Sequence, residues 1–136
     1  MKPPDEIKKE LVRQWLEKAE KDMGVAKLLL LENASFPEAI GFHCQQATEK
    51  FLKAYMVMIQ ADFPKTHNLG ELLDIVAKQN PRMAASLNDI TELNPFGVDF
   101  RYPGDLMDTS RNDAERAFEL AGKTRETVLA ALEIAK

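Results

Sequence analysis

The sequence is poor in the residues that build disulfides, metal sites and aromatic cores: its 136 residues include one cysteine, two histidines and one tryptophan. A single cysteine, Cys44, has no partner within the chain, which excludes a disulfide framework and favours a reduced, intracellular environment. The two histidines, His43 and His67, are far apart in sequence, so a dedicated zinc site is not supported. We expect no metal and no cofactor.

Long hydrophobic runs and an excess of positive charge are also missing. No run approaches the roughly 20 residues that a membrane-spanning helix needs, and the N-terminal MKPPDEIKKE has no apolar segment of the kind found in signal peptides. We therefore expect a cytoplasmic protein that does not associate with membranes. The formal net charge of −4 excludes nucleic-acid binding by overall electrostatics, because phosphate neutralisation needs a concentrated cationic surface. A local basic patch remains open.

The residues that are plentiful, alanine, leucine, glutamate and lysine, favour helix, and no segment alternates with a period of two for long enough to suggest a sheet. We predict one all-α domain over residues 1–136. Apolar periodicity places its helices at about residues 5–32, 37–61, 68–80, 81–93 and 111–136. The expected architecture is an antiparallel up-and-down bundle of three long helices, with the two short helices forming an additional hairpin.

Local signals refine this organisation. Gly24, inside the first helix, is expected to mark a close helix crossing. Residues 94–110 read NPFGVDFRYPGDLMDTS, which is longer than the about 12–15 residues at which unstructured connections become uncommon, and predict a functional or mobile loop. Predicted capping pairs are Ser35 with Glu38, Asn68 with Glu71, and Ser110 with Asp113.

The second predicted helix carries two neighbouring stripes. The apolar one consists of Ile40, Cys44, Ala47, Phe51, Ala54 and Met58. Rotation by one residue gives the other, here called the polar stripe: His43, Gln46, Lys50 and Lys53. Its imidazole, amide and two ammonium groups suit an anionic ligand that carries a hydrogen-bonding ring or sugar. Glu49 is placed to orient Lys53 one turn further on.

Two other interpretations of the polar stripe stay open. Lysines on a helix usually extend into solvent, and a histidine beside a core stripe is more often structural than a ligand contact. The stripe is also suited to a dimer or partner interface, where a semi-polar rim surrounds a packed centre.

Two further segments could supply cations. Lys65 and His67 precede a helix N-terminus, whose free backbone N–H groups favour anions, although capping of that helix is the simpler explanation. In the long loop, Arg101 and Tyr102 belong to FRYP. Arginine there could grip a phosphate or stack on a ring; equally, the aromatic residues could anchor the loop to the bundle.

Motifs for catalysis are absent. The sequence has no GxxxxGK[ST], no GxGxxG and no HExxH. His43 and Cys44 cannot act as a base and nucleophile pair, because adjacent helix positions point about 100° apart. We predict no catalytic residue.

Three sequence segments occur in order before an alanine-rich final helix: AIGFHCQQATEKFLKAYM, FPKTHNLGELL and FRYP. Together they resemble the HEPN domain (higher eukaryotes and prokaryotes nucleotide-binding). The family pattern is matched at Ala26–Leu31, Ala39–Ala54, Lys65–Leu73 and Arg101–Pro103. Because these segments span nearly the whole chain, the resemblance is more specific than any one motif.

The resemblance implies a stand-alone prokaryotic member with a helical bundle that commonly forms a homodimer. It also implies a minimal nucleotidyltransferase subunit as partner in a toxin–antitoxin type system, and a nucleotide or RNA ligand. Some family members are metal-independent endoribonucleases. The binding residues carried over from the family are His43, Gln46, Glu49, Lys50, Lys53, Lys65, His67, Arg101 and Tyr102.

One departure bears on activity. Members that cleave RNA carry an arginine, four to six residues and then a histidine near the last helix, whereas no histidine follows Arg101 or Arg111 here. The general acid–base group of those enzymes is therefore missing from that place. A non-catalytic nucleotide- or nucleic-acid-binding module is the leading hypothesis. The alternatives are a ribonuclease with an atypical site, using His43 or His67 with Arg101, and a non-catalytic helical interaction protein.

Overall fold

The structure is a computed structural model that describes residues 4–32, 35–97 and 109–135. These residues form helices and turns without any strand, which confirms the all-α class. The elements are α1 (Pro4–Leu31), α2 (Pro37–Met58), α3 (Leu69–Ala77), α4 (Pro81–Ser86), a 3-10 helix (Asn88–Leu93), α5 (Asn94–Gly97) and α6 (Arg111–Ala135). None of the helices in these ranges is long and apolar enough to cross a membrane.

Helix α2 packs against both α1 and α6 and forms the centre of the core. The buried part of its apolar stripe is Ile40, Cys44, Ala47, Phe51 and Ala54, with Met58 partly buried. The residues that α1 and α6 bury are Val12, Ala19 and Ala26, and Ala114, Ala117, Leu120, Ala121, Thr124, Val128 and Leu132. Small side chains dominate these two faces, so both helices can approach α2 closely.

Among the glycines of the described residues, Gly41 of α2 has the tightest surroundings, against the Phe96 ring of α5. A Cβ at Gly41 would lie 2.3 Å from Cδ1 of the Phe96 ring, whereas a Cβ at Gly24 would have nothing within 4 Å. The expectation that Gly24 marks a helix crossing is therefore wrong. The glycine that allows a close contact is in α2, where it seats the buried Phe96 ring.

The region after α3 also departs from the sequence prediction. One helix was expected over 81–93 with a loop from residue 94, but the α-helix ends at Ser86, a 3-10 helix follows, and α5 begins at Asn94. The Asn94 side chain accepts a hydrogen bond from the Leu69 backbone N–H at 2.8 Å, and Phe96 is buried. These tertiary contacts hold Asn94 and Pro95 in a helical turn, although the Asn-Pro pair alone favours a break.

Two of the predicted caps are confirmed. The Asn68 side chain accepts from the Glu71 N–H at 3.2 Å. Ser110 and Asp113 form a reciprocal pair, with Ser110 N–H donating to Asp113 at 2.9 Å and Asp113 N–H donating to Ser110 Oγ at 3.1 Å. These hydrogen bonds to Ser110 hold the pKa of Asp113 below its ordinary value.

The predicted start of α2 at residue 37 is confirmed, but its predicted capping box and its predicted end are wrong. Its N-cap is Phe36, which makes no side-chain capping bond, so Ser35 and Glu38 do not form a capping box. Pro37 needs no such bond at its own nitrogen because it has no N–H. At the other end α2 stops at Met58 rather than near residue 61, and Gln60 adopts a left-handed φ of 57° that turns the chain away.

Candidate functional site

The polar stripe of α2 faces α1, where Asp22 receives two of its members. Asp22 Oδ1 accepts from His43 Nδ1 at 2.9 Å, and Asp22 Oδ2 accepts from Lys50 Nζ at 2.5 Å. All three side chains are largely shielded, with exposed fractions of 13% for Asp22, 29% for His43 and 25% for Lys50. One carboxylate of α1 therefore orients an imidazole and an ammonium group of α2.

A second carboxylate, Glu49 of α2, does the same for a second lysine and a second histidine. Its side chain is only 3% exposed, and Oε1 accepts from Lys53 Nζ at 2.7 Å and from His67 Nδ1 at 2.9 Å. Gln45, which is fully buried, donates to the His67 backbone carbonyl at 3.2 Å. Side-chain and backbone bonds thus fix the segment before α3 against α2.

Two aromatic rings enclose the Lys53 ammonium group. Lys53 Nζ lies 5.4 Å from the centroid of Trp15 and 5.8 Å from that of Phe63. The two rings meet edge to face, with centroids 6.4 Å apart. The distances from Lys53 Nζ to the two ring centroids fall within the range of cation–π attraction. The buried charge of Lys53 is therefore compensated by Glu49 and by the two rings.

Gln46 extends the Glu49 group. Its Nε2 donates to Gln45 Oε1 at 2.7 Å, and Gln45 in turn faces Glu49 and His67. A Cβ at Gly97 would lie 2.6 Å from Cδ of Gln45, so α5 packs directly on this amide. We call the Asp22 group and the Glu49 group together the α2 polar network; it consists of Asp22, His43, Gln45, Gln46, Glu49, Lys50, Lys53 and His67. In the described ranges, every buried side-chain nitrogen and oxygen has a hydrogen-bond partner.

Both imidazoles are held in the same way. A carboxylate can only accept, so His43 and His67 each donate Nδ1–H to one, which leaves Nε2 as the acceptor nitrogen of the neutral ring. The His67 side chain is 70% exposed. The ring is thus anchored on one side and open to solvent on the other.

The charges of the network balance internally. The carboxylates of Asp22 and Glu49 offset the ammonium groups of Lys50 and Lys53, so the network is neutral when both imidazoles are neutral. The lysines of the polar stripe are consequently ion-paired rather than free for a ligand, which the sequence did not indicate.

The structure brings together six of the predicted binding residues: His43, Gln46, Glu49, Lys50, Lys53 and His67. Lys65 is exposed and has no ion pair within the described ranges. Arg101 and Tyr102 lie outside the described residues. The sequence analysis did not identify Asp22, Gln45 and Trp15 as site residues. Asp22 and Trp15 could have been identified from their positions beside the buried face of α1.

Cys44 lies on α2 beside His43 but is fully buried. Burial raises the pKa of its thiol to about 12, with a smaller contribution from the negative charge of Asp22. A thiol this basic stays protonated and inert at neutral pH. Across the described residues, no group of three or more His, Cys, Asp and Glu side chains is placed to hold a metal ion.

Comparison with known proteins gives one match. A family model described as HEPN domain matches residues 12–132, a span that contains every member of the α2 polar network. No curated protein and no solved structure matches the chain.

Proposed function

This chain belongs to the HEPN domain family, and from that premise we propose that it binds a nucleotide or a nucleic acid on the α2 polar network. Membership implies a nucleotide- or RNA-binding module or one of ribonuclease type. We further propose that the protein acts as a homodimer with a minimal nucleotidyltransferase subunit, in a toxin–antitoxin type system.

The observation that supports binding is the rigid support given to the exposed polar groups. Functional side chains are most effective when neighbouring hydrogen bonds hold them in place before the ligand arrives. Asp22 holds His43 and Lys50, while Glu49 holds His67, and these are the members that reach solvent. The His67 ring, 70% exposed and held at Nδ1 by Glu49, leaves its Nε2 free to hydrogen-bond a ligand.

Fluorescence anisotropy of a labelled single-stranded RNA and of a labelled ATP analogue tests this proposal. His67→Gln keeps an amide donor for Glu49 and removes the exposed imidazole, so it should weaken binding about tenfold. Lys78→Gln, an exposed lysine just after α3, is the matched control and should leave binding unchanged. Equal affinity in wild type and His67→Gln, or no binding by wild type, contradicts the proposal.

A ribonuclease with an atypical site is the second candidate, and the two carboxylate-oriented imidazoles favour it. General acid–base catalysis needs an imidazole whose orientation and tautomer are set by a neighbouring group, and both His43 and His67 meet this requirement. RNA incubated with the protein in the presence of a chelator should then be cleaved, and His43→Ala or His67→Ala should abolish cleavage. Absence of cleavage above background removes this candidate.

The dimer proposal is supported by apolar surface on the same two helices. Val25 and Leu28 of α1 are 39% and 58% exposed, and Phe42 of α2 is 43% exposed. Exposed aromatic and aliphatic side chains of this kind are enriched at the centre of protein interfaces. Light scattering after gel filtration should give the mass of two chains for wild type and of one chain for Phe42→Gln; a monomeric wild type overturns the dimer.

A further inference from the structure

Trp15 is the only tryptophan of the chain and lies at the edge of the α2 polar network. Lys53 and Phe63 contact its ring from the side of α2 and the segment before α3. The ring also lines a surface depression of about 140 Å³ together with Leu11, Gln14 and Lys18. Neither Lys53 nor Phe63 lines this depression, so it lies against a part of the indole that they leave uncovered.

The depression has the size and lining of a site for one flat ring. Pockets for drug-sized ligands start at about 300 Å³, so about 140 Å³ is too small for a large ligand. An indole offers a stacking surface to any base, irrespective of base identity. The Gln14 amide donates one N–H to Glu10 Oε1 at 3.3 Å, so its oxygen and its second N–H remain for the polar edge of a base.

Positive charge next to this depression is free. Lys18 is exposed and has no ion pair within the described ranges, and the same holds for Lys21 on the next part of α1. By contrast, Asp22 and Glu49 already pair with the two lysines of the polar stripe. A phosphate joined to a stacked base therefore finds at Lys18 a cation that is unpaired within the described ranges and itself lines the depression.

The indole is also held in place from behind. Lys53 is fixed by a 2.7 Å hydrogen bond to Glu49 and lies over the ring, and the Phe63 edge meets it at an interplanar angle of 70°. A stacking residue that is already immobilised loses little conformational entropy when a ligand binds. This support links Trp15 to the same network that holds His67.

We propose that Trp15 is a stacking platform for an unpaired nucleobase whose phosphate is bound by Lys18. The proposal rests on the proposed nucleotide or nucleic-acid binding and narrows the ligand to a free nucleotide or a single-stranded RNA. A base within a duplex keeps its neighbours on both faces and cannot reach the indole without being unstacked.

The first test uses the emission of Trp15, which reports on this site alone because no other tryptophan is present. The probes are AMP, a single-stranded RNA dodecamer, the same sequence as a duplex, and ribose 5-phosphate. Quenching by AMP or by the single strand is expected, and comparing the two separates a free nucleotide from RNA as the source of the base. Ribose 5-phosphate, which lacks a base, should not quench.

Variants test the two contacts separately, with affinity for the labelled single strand as the readout. Trp15→Leu should weaken binding by about tenfold to hundredfold, whereas Trp15→Phe should retain most of it. Because Trp15 also packs on the core, circular dichroism and thermal melting check the fold of both variants. Lys18→Gln changes an exposed side chain and should also weaken binding; its control is Lys27→Gln, an exposed lysine on the opposite side of α1.

The outcomes separate this inference from the proposed function. If the single strand binds wild type and a folded Trp15→Leu equally, or if Lys18→Gln and Lys27→Gln behave alike, the stacking site is overturned while binding to the α2 polar network stands. Equal affinity for the duplex and the single strand overturns it as well. If wild type binds none of the probes, the stacking site and the proposed function both fall.

Discussion

The buried ion pair between Glu49 and Lys53 should be among the most consequential contacts of the fold. The side chains are 3% and 11% exposed, and Glu49 Oε1 lies 2.7 Å from Lys53 Nζ. Removing one member of a buried pair leaves the other charge uncompensated and typically costs about 3–5 kcal/mol. Glu49→Gln preserves the shape of the side chain, so its effect on the free energy of unfolding reports mainly on the lost charge.

Neighbouring groups reduce that cost. In Glu49→Gln, Lys53 keeps its cation–π contacts with Trp15 and Phe63, which are worth about 0.5–2 kcal/mol. We therefore expect a loss of about 2–4 kcal/mol. Lys53→Met should cost less, because Glu49 retains His67 and Gln45 as hydrogen-bond donors. The double variant Glu49→Gln/Lys53→Met carries no charge at either position. Its loss of unfolding free energy should be smaller than the sum of the two single losses by about 1.5 kcal/mol or more.

Urea unfolding at about pH 7 measures these free energies for wild type, the two single variants and the double variant. The readout is far-ultraviolet circular dichroism, because the emission of Trp15 would itself respond to Lys53→Met. Glu20 and Arg125 form a matched exposed pair. Glu20 Oε1 lies 2.7 Å from Arg125 Nε, and the side chains are 45% and 40% exposed. A cycle of Glu20→Gln and Arg125→Met should show a coupling of less than about 1 kcal/mol. If the Glu49–Lys53 coupling is no larger than this control, burial does not strengthen the pair as reasoned here.

Further predictions concern packing, reactivity and capping. Gly41→Ala should lower the free energy of unfolding, measured in urea, by about 1–3 kcal/mol, because the new methyl group overlaps the Phe96 ring. Gly24→Ala places its methyl group in open space and should raise the free energy of unfolding by about 1 kcal/mol. Equal effects of the two substitutions would contradict the close approach of Gly41 and Phe96. The pKa of Cys44, raised to about 12, should slow iodoacetamide labelling at about pH 8 roughly 1,000-fold relative to the urea-unfolded chain. Similar labelling rates would disprove the burial. Asn80 caps α4 and donates to the Tyr55 hydroxyl, so Asn80→Ala should cost about 1–2 kcal/mol; a loss below about 0.3 kcal/mol argues against both contacts.

The elements that the sequence predicted well are those that depend on local periodicity. The stripes of α1, α2 and α6 repeat at helical spacing over many turns, and the core follows them. Prediction failed where tertiary contacts decide the conformation. Asn94 begins a helical turn because its side chain binds the Leu69 N–H, and Gly41 is close to Phe96 only because α5 folds back onto α2. Neither partner can be identified from spacing along one helix.

The same distinction applies to the site, and it changes which residues a ligand can use. Helical spacing alone placed His43, Lys50 and Lys53 on one side of α2, but the acid that pairs with two of them comes from α1. Asp22 precedes Lys50 by 28 residues, beyond the reach of any local pattern. Once its ion pair is counted, the lysines of the polar stripe hold the site together, and the groups available to a ligand are the exposed imidazole of His67 and the ammonium group of Lys18. Binding that requires the stripe lysines directly would have to break ion pairs that the fold already makes, whereas binding through His67 and the surface of α1 would leave them intact.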